Sequence, residues 1–556
     1  MKETVMSTWK KYFSIDREWH SKAHRNWFYF CWIFLSIYLA YVLFAGYSTI
    51  FWGTVNTLAS LVVSIVFVFF VAAVLLGMCK WFLNLKSTAG LCKGKISWKF
   101  FCISMGISII ILGCALVKYY PGGATVDSLS QWRQLQTGNY VDWHPVFHTL
   151  LLWVAAQVVP DHTGVVVVQM LCFAIMLAHF LSAMESWGIR KSVLLVFQCF
   201  VLSYSIIQSA MVHAWKDNAM TIGALWLCTQ GVNLYFSNGK WIEKKSNAIL
   251  MGLALAFTTM VRHNALLFTF PLLACGALYV GGGRWKNWLI TAGVMGLCLA
   301  LVWGPLYTAL DVEKPVNKKF ETMGIPMTIM LDARTNEPER LDRQTMEMLQ
   351  GLCSDEMLSE KYFPGLYNSI KFSIERADFE KIPLTEFARA TISTIIRAPR
   401  SAFDTINNVT SPVWSISGEN KAWVRASPSM AFHEGETRYD ELNRVGARLD
   451  GLLSLANRNL VTLYLFQNIG PSLAIVLLCG LMALYRQGVK ALFFCFPVLI
   501  YNFGTMLLLS DNDVRLFQFS IVLCLPMALI LWTGARAASS VREEKKYAVD
   551  KMAEES

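Results

Sequence analysis

Long apolar runs separated by polar gaps dominate this chain. Crossing a hydrocarbon core takes roughly 17–25 mostly apolar residues. Twelve segments approach or meet that length and are predicted to span: 27–46, 58–79, 98–118, 163–185, 192–212, 219–236, 247–261, 265–281, 288–309, 459–485, 490–509 and 516–534. The run "PVFHTLLLWVAAQVVP", 145–160, is short for a span and bounded by prolines. Counting it as a crossing would invert every later loop. It is therefore predicted to be a helix lying at the outer interface, with Pro145 in its first turn.

The gap 310–458 is the one large polar region. Helical spacing in "FARATISTIIRAPR" and "RYDELNRVGARLDGLLSLANR" predicts a small, mostly helical extracytoplasmic cap. The expected fold is all-α and polytopic. An N-terminal tail with two additional spans (1–97) precedes a transmembrane core (98–309) whose first outer loop is 119–162. The cap (310–458), the C-terminal spans (459–534) and a cytoplasmic tail (535–556) complete it. No internal repeat relates the two halves of the chain.

Charge fixes the expected sidedness. Alternate gaps carry Lys10, Lys11 and Arg25, then Lys80 and Lys86, Arg190 and Lys191, Lys244 and Lys245, Arg284 and Lys286, Arg486 and Lys490, and finally Arg536 and Arg542. The gap 47–57 on the other side has no charge. Basic loops stay in the cytoplasm, so both termini are expected there, in a multi-pass protein of the cell membrane. The first 26 residues are polar for too long to be a secretory signal, and the first span is expected to remain as an anchor.

Composition agrees and narrows the classes. Apolar residues make up 55% of the chain and charged ones 16%, which suits a membrane protein better than soluble domains. The net charge of +11 is spread over cytoplasmic loops, so it marks topology and no nucleic-acid partner is expected. Most of the 14 cysteines lie inside apolar runs, where they act as small hydrophobes, and none forms a CxxC pair. Cys353 and His433 are too few for a zinc-centred hydrolase cap.

Polar side chains recur at one membrane level. Asp127, Gln131, Trp132, Gln134 and His144 lie in the first outer loop, which opens with Pro121-Gly122-Gly123 to turn sharply off the third span. Lys216 and Asp217 sit in the turn "VHAWKDNAM", Arg262 and His263 interrupt "LAFTTMVRHNALLFTF", and Arg515 ends "LLLSDNDVR". Each has a plain alternative. Asp127 suits a helix N-cap, Lys216 and Asp217 a solvated turn, His144 a cap of the interface helix, and Arg515 a snorkelling anchor. Trp132 and Trp143 suit the aromatic belt better than sugar stacking. Arg262 is hardest to dismiss, because an arginine at membrane depth normally faces a bundle interior or wet cavity.

Taken together, the cations suit a lipid phosphate whose tail stays in the bilayer. A carboxylate beside them can act as general base, or Asp127 and Asp217 can share a divalent ion such as Mg or Mn. Asp127, Gln131 and Gln134, at i, i+4 and i+7, would line one helical face toward a substrate.

The loop motif "YPGG…DSLSQWRQ…G…HPVFHTLL", with the second acidic turn and "DNDVRLFQF", resembles the type C superfamily of integral-membrane glycosyltransferases, in an uncharacterised bacterial branch. The likeness covers about 98–310 and the arginine turn, and is weak over 310–458 and the first two spans. It implies a sugar donor carried on polyprenyl phosphate, transfer with inversion to an extracytoplasmic glycan, lipid or protein, and Asp127 as catalytic base, with His144 expected as a second catalytic residue. Lys216, Arg262, His263 and Arg515 fall where donor-phosphate contacts are expected, Gln131, Trp132 and Gln134 where substrate is, and Asp217 at a second acidic or metal-binding position. The paired acidic motif of some members is missing, since Asp127 is followed by Ser128. A transporter or flippase of a lipid-linked or small-molecule substrate is the main alternative. A phosphoethanolamine-type transferase and a non-catalytic assembly subunit stand further off.

Overall fold

A computed structural model describes residues 21–46, 57–84, 94–158, 162–315, 320, 322–416, 439–453, 469–509 and 514–554. Residues 459–468 of one predicted span and Asp511–Asp513 of the arginine turn lie outside them. The regular elements among the described residues are all helices, and only isolated bridges pair extended backbone. Among the described residues nine helices are long and apolar enough to cross a membrane: Lys22–Leu43, Val62–Phe82, Trp98–Lys118, Thr163–Ser186, His263–Val280, Trp285–Ala309, Ile469–Gln487, Val489–Met506 and Val514–Ala537. A tenth arises if Lys191–Leu202 and Ser205–Met211, bent by 71°, form one span.

The two remaining predicted spans are helical but atypical. Lys245–Val261 is a short apolar helix. Lys216–Phe236 is long, but Asp217, Asn218, Thr221, Thr229, Gln230 and Asn233 make it more polar, and most of it is buried. A polar helix is tolerated there because its neighbours, and not lipid, surround it. Bulky residues that stay exposed, such as Phe34, Phe70, Ile110, Leu278 and Leu297, sit on the outer helices. Such side chains suit a lipid-facing surface.

Close backbone approach holds the bundle together. A methyl group on Gly252 would strike Thr291 O at 2.6 Å, and one on Gly276 the Trp288 ring at 2.1 Å. Small residues at such crossings let helices pack without a hydrophobic driving force from water. Buried polar groups add directional links: Gln198 donates to Ser104 O (2.6 Å) and Ser108 Oγ (2.8 Å), and accepts from Ser104 Oγ (2.9 Å).

Two ends of the bundle are distinguishable. At one end Arg284 donates to Glu243 (2.7 Å), Arg486 to Phe82 O (3.0 Å), Tyr235 to Gln487 (2.6 Å) and Trp187 to Asn233 (3.2 Å). These contacts gather the loops that hold Lys80, Arg190, Lys244, Arg284, Arg486 and Lys490. Charge pattern along the chain grouped those residues, and these contacts bring their loops together at one end.

The short helix Val146–Val158 lies at the opposite end. Its 13 residues extend about 20 Å at 1.5 Å each, against a hydrocarbon core of about 30 Å. It buries Val146, His148, Thr149 and Leu152 and exposes Trp153, Val154 and Val158, the two-faced pattern expected of an interfacial helix. The helix starts at Val146, so Pro145 stands just ahead of the first turn.

The cap has its own core of Phe320, Met327, Leu331, Leu349, Tyr367, Phe379 and Phe387. Asp342 and Ser354 cap two of its helices by accepting from Thr345 N (2.9 Å) and Met357 N (3.1 Å). Its last described helix, Asp440–Leu453, lies against Trp98–Lys118. There Gly446 has no room for a Cβ beside Lys118, and Lys118 donates to Asp450 at 2.8 Å.

Candidate functional site

The first loop is fastened before it reaches Asp127. Gly122 has φ of 114°, a conformation that glycine adopts freely. Gly123 N donates to Val212 O at 2.8 Å, and a Cβ on Gly123 would lie 2.4 Å from the His213 ring. Glycine is needed at both positions, for different reasons. Ser128 donates to Ala214 O (2.9 Å), and Trp215 Nε1 to Thr125 Oγ1 (3.0 Å). The loop and the turn 212–216 therefore form one unit.

The last span is tied to the same turn. Asn218 Nδ2 donates to Ala210 O (2.7 Å) and His213 O (2.9 Å), while its Oδ1 accepts from Gln518 at 2.6 Å. Tyr501 holds Leu516 O at 2.7 Å. Three residues before Gln518, Arg515 lies over the Trp215 ring at 5.1 Å, a cation–π contact.

Asp127 sits where these parts meet. Its Oδ2 is 3.6 Å from Lys216 Nζ and 3.5 Å from Arg515 Nη1, and its Oδ1 is 3.9 Å from His144 Nε2. Lys216 Nζ also lies 2.7 Å from His144 Nδ1. One side chain from the same loop and two from distant parts of the sequence thus surround a carboxylate whose side chain is 34% exposed.

Asp127 belongs to the first turn of Val126–Thr137, and Thr125 holds the N-cap position. The capping alternative for Asp127 falls away. His144 likewise faces Asp127 and Lys216, and Lys216 is no solvated turn residue.

Charge states follow from these neighbours. Burial alone would push the Asp127 carboxyl up, but Lys216, Arg515 and His144 outweigh it and hold the group well below the usual carboxylate range. Burial, then the adjacent Lys216, push His144 down to about 3, so its ring is neutral near pH 7. A neutral ring accepts from the Lys216 ammonium at Nδ1 and keeps its proton on Nε2, toward Asp127. Burial also pushes Lys216 down to about 8, with Asp127 opposing the shift.

Asp217 takes a different partner. It pairs directly with Arg262 in a site where their side chains are only 3% and 5% exposed. Arg262, itself the extended residue between two helices, also donates to Asn264. This guanidinium was expected to meet a donor phosphate, and Asp217 a metal; in the fold each occupies the other. Asp127, for its part, is ringed by cations. Neither carboxylate is arranged to share a divalent ion, and no group of three or more metal-ligating side chains occurs among the described residues.

Three further expectations change. Gln131 is buried against His148 and Thr149 (both 3.0 Å), Gln134 accepts from Val141 N (3.3 Å), and Trp132 packs with Leu152, Ala155 and Val165. The face shared by Asp127, Gln131 and Gln134 therefore turns inward after its first member. Helical spacing places residues on a face but does not say what that face meets.

His263 lies near the site and contacts Asp142, through the backbone O at 3.2 Å and Oδ1 at 3.6 Å. Tyr307 also donates to Asp142 Oδ1 (2.9 Å). Asp142 stands two residues before His144 and drew no role from sequence, although a second carboxylate in the same loop was a visible signal. Thr125, Trp215 and Tyr307 carried no such signal. The chain matches no protein-family model, no curated protein and no solved structure.

Proposed function

We propose that this chain is an integral-membrane glycosyltransferase that moves a sugar from a polyprenyl-phosphate donor to an acceptor outside the cytoplasm. In this reading the chain crosses the membrane twelve times, the basic end is cytoplasmic and the Asp127 end faces outward. The observation that carries the reading is the pair of cations, Lys216 and Arg515, on one oxygen of a partly open carboxylate.

The chemistry needs a carboxylate at the attacking hydroxyl and cations at the leaving phosphate. An acceptor hydroxyl attacks the anomeric carbon from the face opposite the phosphate. The new C–O bond forms as the bond to phosphate breaks, Asp127 takes the hydroxyl proton, and the phosphate leaves with the electron pair. Lys216 and Arg515 stabilise the charge that develops there.

In the resting site these cations neutralise Asp127, which makes it a weak base. A bound phosphate competes for them, and Asp127 regains basicity as the donor arrives. His144 positions Lys216, and the Asp217–Arg262 pair fixes the helix ends on which Lys216 and His263 stand. No step passes through a metal.

Transport remains a second reading because of the helix pair bent by 71°, a feature of many transporters. One experiment separates the two. Purified protein is supplied with a radiolabelled polyprenyl-phosphate sugar and candidate acceptors, and the products are analysed by mass spectrometry. Transfer that disappears in Asp127→Asn, with donor binding retained, supports the transferase. Movement of intact donor across a vesicle wall without covalent change refutes it.

A further inference from the structure

Asp440–Leu453, the last described helix of the cap, does not stand clear of the bundle. Tyr439, just ahead of it, packs edge-on against Tyr120 with ring centroids 4.8 Å apart, and Gly446 presses on Val117 and Lys118. Asp450 accepts from Lys118 at 2.8 Å. The contacts move inward from Tyr120 to Val117, so the helix runs down beside Trp98–Lys118, antiparallel to it. That span has 21 residues, which at 1.5 Å each match a hydrocarbon core of about 30 Å. Lys118 therefore marks the edge of the core, and the second half of Asp440–Leu453 lies below it.

Three faces of this helix are distinct. Gly446 and Asp450, both buried, form the face against the span. Leu442, Val445, Leu449 and Leu452, at i, i+3, i+7 and i+10, form a second face about 100° round the helix and are 38–71% exposed. Arg444 and Arg448, also exposed, stand about 100° beyond that row. Four large aliphatic side chains in one exposed row are uncommon where water is the solvent.

The span shows what the row faces. Ile103 and Ile110 share one side of Trp98–Lys118 and are exposed there. Cys114 and Val117, at i+11 and i+14 from Ile103, continue that side toward Lys118 and are half-buried where Asp440–Leu453 packs. The helix thus covers the last turns of an apolar strip on a spanning helix, and its own aliphatic row extends the same surface.

We propose that Asp440–Leu453 lies in the outer leaflet, with its aliphatic row against acyl chains and Arg444 and Arg448 reaching phospholipid headgroups. The cap is thereby held to the lipid surface beside the span from which the Asp127 loop departs. Which leaflet this is depends on the sidedness proposed above, but contact with lipid does not.

The photoreactive residue p-benzoylphenylalanine, which inserts into C–H bonds, is placed singly at Leu449, Leu452, Ile110 and Glu356 of the full-length protein in phosphatidylcholine nanodiscs. Adducts are read by mass spectrometry after irradiation. Phospholipid adducts are expected at Leu449 and Leu452 as at Ile110, with about tenfold less at Glu356, which is exposed in the cap. Leu449→Glu combined with Leu452→Glu should lower the melting temperature in nanodiscs, whereas the same change on a water-exposed face would leave it nearly unchanged. If that double variant does not fold, the adducts decide. Missing lipid adducts at Leu449 and Leu452, adducts solely to protein (a second copy or the cap), or an unchanged melting temperature overturns the proposal. Lipid adducts without any sugar transfer by the wild type would sink the transferase reading and leave the lipid contact standing, whereas transfer without adducts would do the reverse.

Discussion

Lys216 and Asp217 are neighbours in the chain, yet they serve different clusters. Lys216 joins Asp127, Arg515 and His144, where side chains are 18–34% exposed apart from the buried histidine. Asp217 turns the other way and pairs with Arg262 almost out of contact with solvent. A buried pair that satisfies itself holds structure in place; an open one whose cations share a single carboxylate oxygen has capacity left for a ligand. Adjacent charges at the start of one helix can thus be divided between binding and architecture, because successive helical positions point about 100° apart.

The sharpest way to break this contrast is at Asp127. Asp127→Asn should lower sugar transfer by about 10²–10⁴-fold, the usual span for a lost general base, with melting temperature nearly unchanged. If activity persists, the open cluster is not the reaction centre.

Next in size is the closed pair. Arg262→Leu strands a buried carboxylate and should cost about 3–5 kcal/mol of stability, read as loss of the folded peak in detergent chromatography. Asp217→Leu combined with Arg262→Leu should recover most of that loss. A single variant that folds normally but loses donor binding would move Arg262 into the open cluster.

A smaller effect concerns pH. Lys216, pushed down to about 8, is protonated below that value and neutral above it. Transfer measured as kcat/KM should therefore fall as pH rises through about 8, because one of the two cations proposed for the donor phosphate is lost. Lys216→Arg should shift that fall to higher pH, since guanidinium stays charged. A profile flat to pH 10 would remove Lys216 from phosphate binding. The smallest change expected is in Trp215→Phe, which keeps a ring under Arg515 but loses the bond to Thr125. About 1 kcal/mol of stability should go, seen as a lower melting temperature.

Much of the frame could be read along the chain. Long apolar runs gave the main spans, the prolines around 145–160 marked a helix too short to cross, and lysines and arginines gathered the loops of one end. The convergence of Asp127, Lys216, His144 and Arg515 was also legible, because alternate turns between spans return to the same level. The contacts inside that level were not. Gln131 looked like a substrate ligand by its spacing, yet His148 and Thr149 engage it. Arg262 looked available, yet Asp217 fills it. Asp142 was passed over, and the aliphatic row of Asp440–Leu453 was legible only as helical spacing, because its place beside Trp98–Lys118 is a contact between distant segments.

The sequence by itself determined which segments enter an apolar environment and at which of two levels each polar group emerges, because transfer of side chains from water to hydrocarbon depends on composition within about 20 residues. Only the tertiary structure decided which carboxylate meets which cation. Pairing energies depend on distances of a few ångströms and on local exclusion of water, and both are set by helix rotation and by close contacts such as that of Gly123 with His213, which no local pattern encodes.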